Sequence, residues 1–61
     1  MKIKCIIIDD EPLAIKIIEN YLTDFPQMEL VATFNTAIAA LPTIEKDKID
    51  VIFLDINMPK M

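Results

Sequence analysis

Two apolar runs in this chain end in acid. Cys5-Ile6-Ile7-Ile8 leads directly into Asp9-Asp10-Glu11, and Val51-Ile52-Phe53-Leu54 leads directly into Asp55. Strands of one parallel sheet enter from the same side, so both acidic ends would emerge at one edge of the sheet. Like charges gathered in one crevice repel, and a fold tolerates that only with a compensating cation or a shared proton. The chemistry implied is a divalent metal site. A hard cation such as Mg²⁺ takes about six oxygens and keeps several of them as waters, so one or two protein carboxylates suffice. Asp10 and Asp55 can supply these, with a backbone carbonyl of the following loop as a third ligand. A carboxylate beside such a metal is also a candidate nucleophile toward phosphorus, giving an aspartyl phosphate. The metal would neutralise entering phosphoryl oxygens that the acids alone repel.

A plainer role competes. Aspartates just before helices are most often N-caps, and one of Asp9, Asp10 or Glu11 is expected to do that work. A lone aspartate closing a strand is ordinarily a cap or turn residue. Three acids at two adjacent strand ends are harder to explain that way.

The elements that must position these acids read in order along the chain. Lys2 to Asp9 is a near-continuous β-branched run, the pattern of a strand covered on both faces. Pro12 suits the first turn of a helix, where its missing N–H costs nothing. Leu13, Ala14, Ile17, Ile18, Tyr21, Leu22 and Phe25 then recur at helical spacing, and Pro26 stops the helix. Glu29 to Phe34 is a shorter, more polar strand suited to an edge. Thr36 can cap a second helix whose apolar positions are Ala37, Ile38, Leu41 and Ile44, with Pro42 inside it predicting a kink or irregular turn. A third strand runs from Ile49 or Asp50 to Leu54. The alternation β-α-β-α-β predicts an α/β fold, a doubly wound parallel sheet with right-handed crossovers and strand order 2-1-3. Ligands of such sheets bind beyond the carboxyl ends of the strands, where the order reverses. That point lies between strands one and three, which Asp9, Asp10 and Asp55 close.

Composition narrows the partners. Sixty-one residues make at most one small domain, and an apolar share of 54% sets it apart from disordered tails. The net charge of −4 and the absence of arginine leave no basic patch for reading nucleic acid. One cysteine, Cys5, rules out a disulfide within the chain, and its place in an apolar run makes it a core residue. A buried free thiol fits a reducing compartment, so cytoplasmic location is expected. No segment approaches the ~20 apolar residues of a membrane span, and nothing at the N-terminus has the form of a signal peptide. Ending in a loop at Met61, the chain reads as cut short.

The run Ile7-Ile8-Asp9-Asp10-Glu11-Pro12-Leu13-Ala14, joined at this spacing to Phe53-Leu54-Asp55-Ile56-Asn57-Met58-Pro59-Lys60-Met61, resembles the receiver domain of bacterial two-component response regulators. The opening Glu-Pro-Leu-Ala is most similar to receivers that carry a LytTR-type DNA-binding output domain. The resemblance implies a flavodoxin-like fold, of which residues 1–61 would be the part from the first strand to the third. It implies that Asp55 is the phosphoacceptor, that Asp10 is a direct Mg²⁺ ligand, and that Asp9 holds metal-bound water. Asn57 would offer its backbone carbonyl to the metal, and Met58-Pro59 would shape the loop. The phosphoryl group would come from a sensor histidine kinase or a small phosphodonor, and the chain would act as a signalling phosphoacceptor, not an enzyme, with at most residual autophosphatase activity. DNA would be met only through an output domain outside this chain. A full receiver also carries a Ser/Thr after strand four, a Lys after strand five and a switch aromatic. None lies within these residues, so the site is half built and this chain alone should accept phosphate poorly.

Other classes fit less well. Haloacid-dehalogenase-type phosphatases want a second Asp two residues after the first with a Gly-Thr turn, whereas here the acids are adjacent and Pro12 follows. Two-metal nuclease sites need more acids and a basic track. A receiver-shaped interaction module without phosphotransfer is the serious alternative. Strand three is apolar toward both faces and leaves a free edge, so self-association through it, or an exchange of elements with a second copy, is also expected.

Overall fold

The computed structural model describes residues 1–55. Strand β1 (Ile3–Ile8) is followed by helix α1 (Pro12–Leu22), β2 (Met28–Phe34), α2 (Ala37–Lys46) and β3 (Val51–Leu54). The three strands form one parallel sheet in the order β2-β1-β3. The expected architecture and strand order both hold, with the strand ends shifted by a residue or two.

β1 is central because its sequence permits nothing else. Cys5, Ile6 and Ile7 are fully buried and Ile8 nearly so, which requires cover on both faces and a neighbour on both sides. Ile6 and Ile8 pack with Ala40 of α2, and Val31, Phe34, Ala37, Ile44 and Ile49 close round them. Cys5 and Ile7 alternate to the other face, which leaves α1 to cover them. Burial pushes the Cys5 thiol above its ordinary pKa, as befits a core residue. The pairing of β1 with β2 slips between Cys5 and Ile6, so that Cys5 meets Leu30 while Ile6 meets Ala32, and Val31 is the extra residue of a bulge.

Helix α1 differs from its expected form. It ends at Leu22, short of Pro26, and Thr23, Asp24 and Phe25 turn away through bonds from their N–H groups to the carbonyls of Asn20, Tyr21 and Leu22. Of the apolar positions, Leu13, Ile17 and Tyr21 are exposed, whereas Ala14, Ile18 and Leu22 are half-buried together with Ile15. The helix carries two apolar ridges side by side, and the sheet takes one. In α2, Ala37 and Ile44 turn inward as expected, but Ala40 is the buried residue, and Ile38 and Leu41 are exposed. Thr36 caps this helix, its Oγ1 accepting from Ala39 N–H at 3.2 Å. The helix runs unbroken through Pro42. The carbonyl that Pro42 deprives of a partner belongs to exposed Ile38, where water can replace the lost bond.

Two substitutions test this packing. Ile6→Ala removes the centre of the core at a cost of about 2–5 kcal/mol, as much as the ~3–5 kcal/mol a core of this size supplies. Thr36→Ala removes a cap worth about 1 kcal/mol. In urea melts followed by circular dichroism, Ile6→Ala should show no cooperative transition, while Thr36→Ala should keep one at a lower midpoint.

Candidate functional site

The carboxyl end of β1 is held on both sides. Asp9 N–H donates to Phe34 O at 3.0 Å, continuing the pairing with β2, and Asp55 N–H donates to Ile8 O at 3.1 Å, continuing the pairing with β3. The backbones of the acids are therefore set by the sheet ladder itself. At the far end of β3, Asp50 is anchored in turn. Its N–H donates to Lys4 O at 2.8 Å, and its carboxylate accepts from Lys4 N–H at 3.0 Å. That clasp fixes the register in which Ile8 pairs with Leu54, and so fixes where Asp55 emerges. Sequence reasoning had no signal for it beyond an aspartate at the start of a strand.

The loop from β1 to α1 does not cap its helix as expected. Glu11 occupies the N-cap position in extended geometry, with no side-chain bond to the first turn, and Pro12 begins the helix. The Asp9 carboxylate instead accepts from Glu11 N–H at 2.9 Å, an Asx-type turn within the loop. This turn directs the chain into α1 and leaves Asp10 exposed at its outer side.

Asp9, Asp10 and Asp55 each bring one carboxylate oxygen within 4.8 Å of the others. Asp9 is buried, with 6% of its surface exposed, Asp55 is half-buried and Asp10 is exposed. Two unit negative charges about 4 Å apart repel by ~1 kcal/mol in bulk water and ~4 kcal/mol at the effective dielectric typical near a protein surface. A bound Mg²⁺ with ligands at about 2.1 Å spaces adjacent oxygens by about 3 Å and opposite ones by about 4.2 Å. The observed spread is close to that range, and these three residues would hold such a cation together with water. An all-oxygen donor set suits a hard cation and not a thiophilic one. The residues fit Mg²⁺. Asn57 and the Met58-Pro59 pair lie outside the described residues.

The strand order reverses between β1 and β3, and the acids stand at that reversal. The chain also matches the family model of the response regulator receiver domain over residues 5–61. It belongs to that family. Among curated relatives, it is 38% identical over 60 residues to Protein MrkE of Klebsiella pneumoniae, covering 98% of this chain and 22% of that protein. It is 38% identical over 58 residues to Transcriptional regulatory protein YpdB of Escherichia coli K12, covering 95% and 24%. Transcriptional regulatory protein BtsR of the same strain is 37% identical over 59 residues, covering 97% and 25%. The chain thus spans about a quarter of the length of these relatives. No solved structure matches. Among the described residues, no helix is long and apolar enough to cross a membrane.

The three acids should bind a cation as one site. Mg²⁺ or Mn²⁺ is expected to bind weakly, and Asp10→Asn is expected to abolish most of that binding without disturbing the fold, because Asp10 is exposed. Calorimetric titration of both proteins is the check, and equal affinities would show that the acids do not act together.

Proposed function

We propose that Asp55 is the phosphoacceptor of a two-component response regulator, working with Mg²⁺ held by Asp9, Asp10 and Asp55 and by the backbone carbonyl of Asn57. The observation that carries this reading is the convergence of the three acids at the β1–β3 switch point of a receiver-family chain. In the reaction, a carboxylate oxygen of Asp55 attacks the phosphorus of a phosphohistidine on a sensor histidine kinase. An O–P bond forms, the P–N bond breaks, and the electron pair leaves with the imidazole nitrogen. Bound Mg²⁺ supplies positive charge to the phosphoryl oxygens.

The chain's own residues do the positioning. The Asp55 N–H bond to Ile8 O sets its backbone at the end of β3, and the Asp9 bond to Glu11 N–H holds the facing loop. Asp10, exposed beside them, completes the charge that retains the cation. We read residues 1–61 as the β1-α1-β2-α2-β3 part of a cytoplasmic receiver domain that signals and does not itself turn over a substrate. The output is read as transcriptional, since YpdB and BtsR are named transcriptional regulatory proteins, and a LytTR-type domain outside this chain would contact DNA.

Labelling of the intact regulator by acetyl phosphate tests the assignment. Asp55→Asn should remove the acid-labile phosphate entirely while leaving the circular dichroism spectrum unchanged, and phosphate retained in that variant would move the acceptor elsewhere. Beryllofluoride with Mg²⁺ should bind the unsubstituted regulator and not the variant. A receiver-shaped interaction module would bind it in neither.

A further inference from the structure

Strand β3 carries no side-chain pattern that would fix its own register. All of Val51-Ile52-Phe53-Leu54 is apolar, with Ile52 and Leu54 on the face of Ile6 and Ile8, and Val51 and Phe53 on that of Cys5 and Ile7. A one-residue slip exchanges the two faces of a strand, and it is resisted where the exchange drives polar residues inward. Here the exchange replaces one apolar pair by the other. For the site, however, the slip is decisive. It moves Asp55 by about 3.3 Å along the strand and turns its side chain to the opposite face. The carboxylate oxygens of Asp9, Asp10 and Asp55 lie within 4.8 Å of one another, a grouping that such a step would undo.

The register must therefore be read at the ends of the strand. At the carboxyl end, Asp55 N–H donates to Ile8 O at 3.1 Å, but a slipped strand would offer that carbonyl another backbone N–H. The amino end is more selective. Since Asp55 N–H meets Ile8 O, the odd-numbered residues of β3 turn their backbone groups toward β1. Continued backward, a regular ladder would give Lys4 N–H to the carbonyl of Ile49. The carboxylate of Asp50 takes that place at 3.0 Å, while Asp50 N–H donates to Lys4 O at 2.8 Å. Lys48, Ile49, Val51 and Ile52 have no side-chain acceptor, so a slip of one or two residues either way loses the bond.

We propose that Asp50 is a positioning residue for phosphoryl transfer, holding through Lys4 the register that delivers Asp55 to Asp9 and Asp10. The inference rests on the phosphoacceptor role proposed for Asp55. Five residues at about 3.3 Å each separate Asp50 from Asp55, so Asp50 touches neither the cation nor the phosphorus and acts through the strand between them. Both halves of the clasp belong to β1 and the start of β3, so a further strand beside β3 would extend a register already set. Asp50 is exposed, and its loss leaves the buried core of Ile6, Ile7 and Ile8 intact. Its effect on the reaction should exceed its effect on stability, because misplacing a reacting group by about 1 Å can cost about 10²-fold in rate.

The test is the rate at which acetyl phosphate labels the intact regulator at saturating Mg²⁺, taken per folded molecule, with hydrogen exchange at the Asp55 amide as a second readout. Asp50→Ala should label about tenfold more slowly or worse. Asp50→Asn keeps a side-chain acceptor for Lys4 N–H and should label within about twofold of the unsubstituted regulator. Thr36→Ala weakens the cap of α2 without touching β3, and should label at the unsubstituted rate. The Asp55 amide should exchange faster in Asp50→Ala and at the unsubstituted rate in the other two. A clasp that merely adds stability would lower the urea midpoint of Asp50→Ala and leave its labelling rate and its Asp55 amide unchanged. That result would overturn the proposal, as would Asp50→Asn labelling as slowly as Asp50→Ala. An unsubstituted regulator that is not labelled on Asp55 would count against the phosphoacceptor reading instead, and the Asp55 amide would still decide whether Asp50 sets the register.

Discussion

The rest of the structure depends on the complete burial of β1. Its run of isoleucines has no polar face, so water must be kept from both sides and from both edges at once. One helix over each face and one strand along each edge is the smallest arrangement that achieves this, and the described residues form that arrangement. Burying an isoleucine side chain contributes about 1.5–3 kcal/mol. Ile6, Ile7 and Ile8 therefore supply much of what holds so short a chain against its conformational entropy.

The site is a consequence of where that burial stops. Buried strands end where polar groups can again reach water, and β1 and β3 stop together because their register pairs Ile8 with Leu54. Whatever follows both strands is brought to one place with its backbone already fixed. Here acid follows both. A cluster of like charge contributes no stability, and the ladder bonds to Phe34 and Ile8 hold it in place in spite of its repulsion. Local cost retained at the ligand-binding end of a sheet is what a functional site looks like, and the family match agrees with the geometry.

Most of the architecture was legible because it rests on long-wavelength patterns. The β-branched run ahead of Asp9, the polar content of β2 and the alternation of strand with helix sufficed for fold class and strand order. The face of α1 was not legible. Leu13, Ile17, Tyr21 and Ala14, Ile18, Leu22 are equally good ridges at helical spacing, and only the tilt of the helix on the sheet decides between them. Ile15, half-buried, was absent from the expected stripe for the same reason. The convergence of the acids was legible from strand ends. The Asx turn at Asp9 and the clasp of Asp50 on Lys4 were not, because each depends on a backbone donor that register alone brings near. The capping role expected among Asp9, Asp10 and Glu11 failed because Asp9 spends its acceptor one residue too early, on Glu11 N–H.

That misplaced cap separates the three acids by what each does for the fold. Asp9 is buried and its carboxylate shapes the loop, so losing it would leave an N–H without its acceptor and would disturb the path into α1. Asp55 is half-buried at the end of β3, its backbone tied to Ile8. Asp10 is exposed, and where its neighbours are each tied into the loop or the ladder, its position serves mainly to add charge at the crevice. A residue that adds charge there and little to the fold is one that the proposed cation would account for. The three acids thus differ in how far the fold itself accounts for them, Asp9 most and Asp10 least. Of the three, Asp55 alone combines partial exposure with a backbone bonded into the sheet ladder, which suits the nucleophilic role proposed for it, since a nucleophile needs both access to its target and little freedom to lose on reaching it.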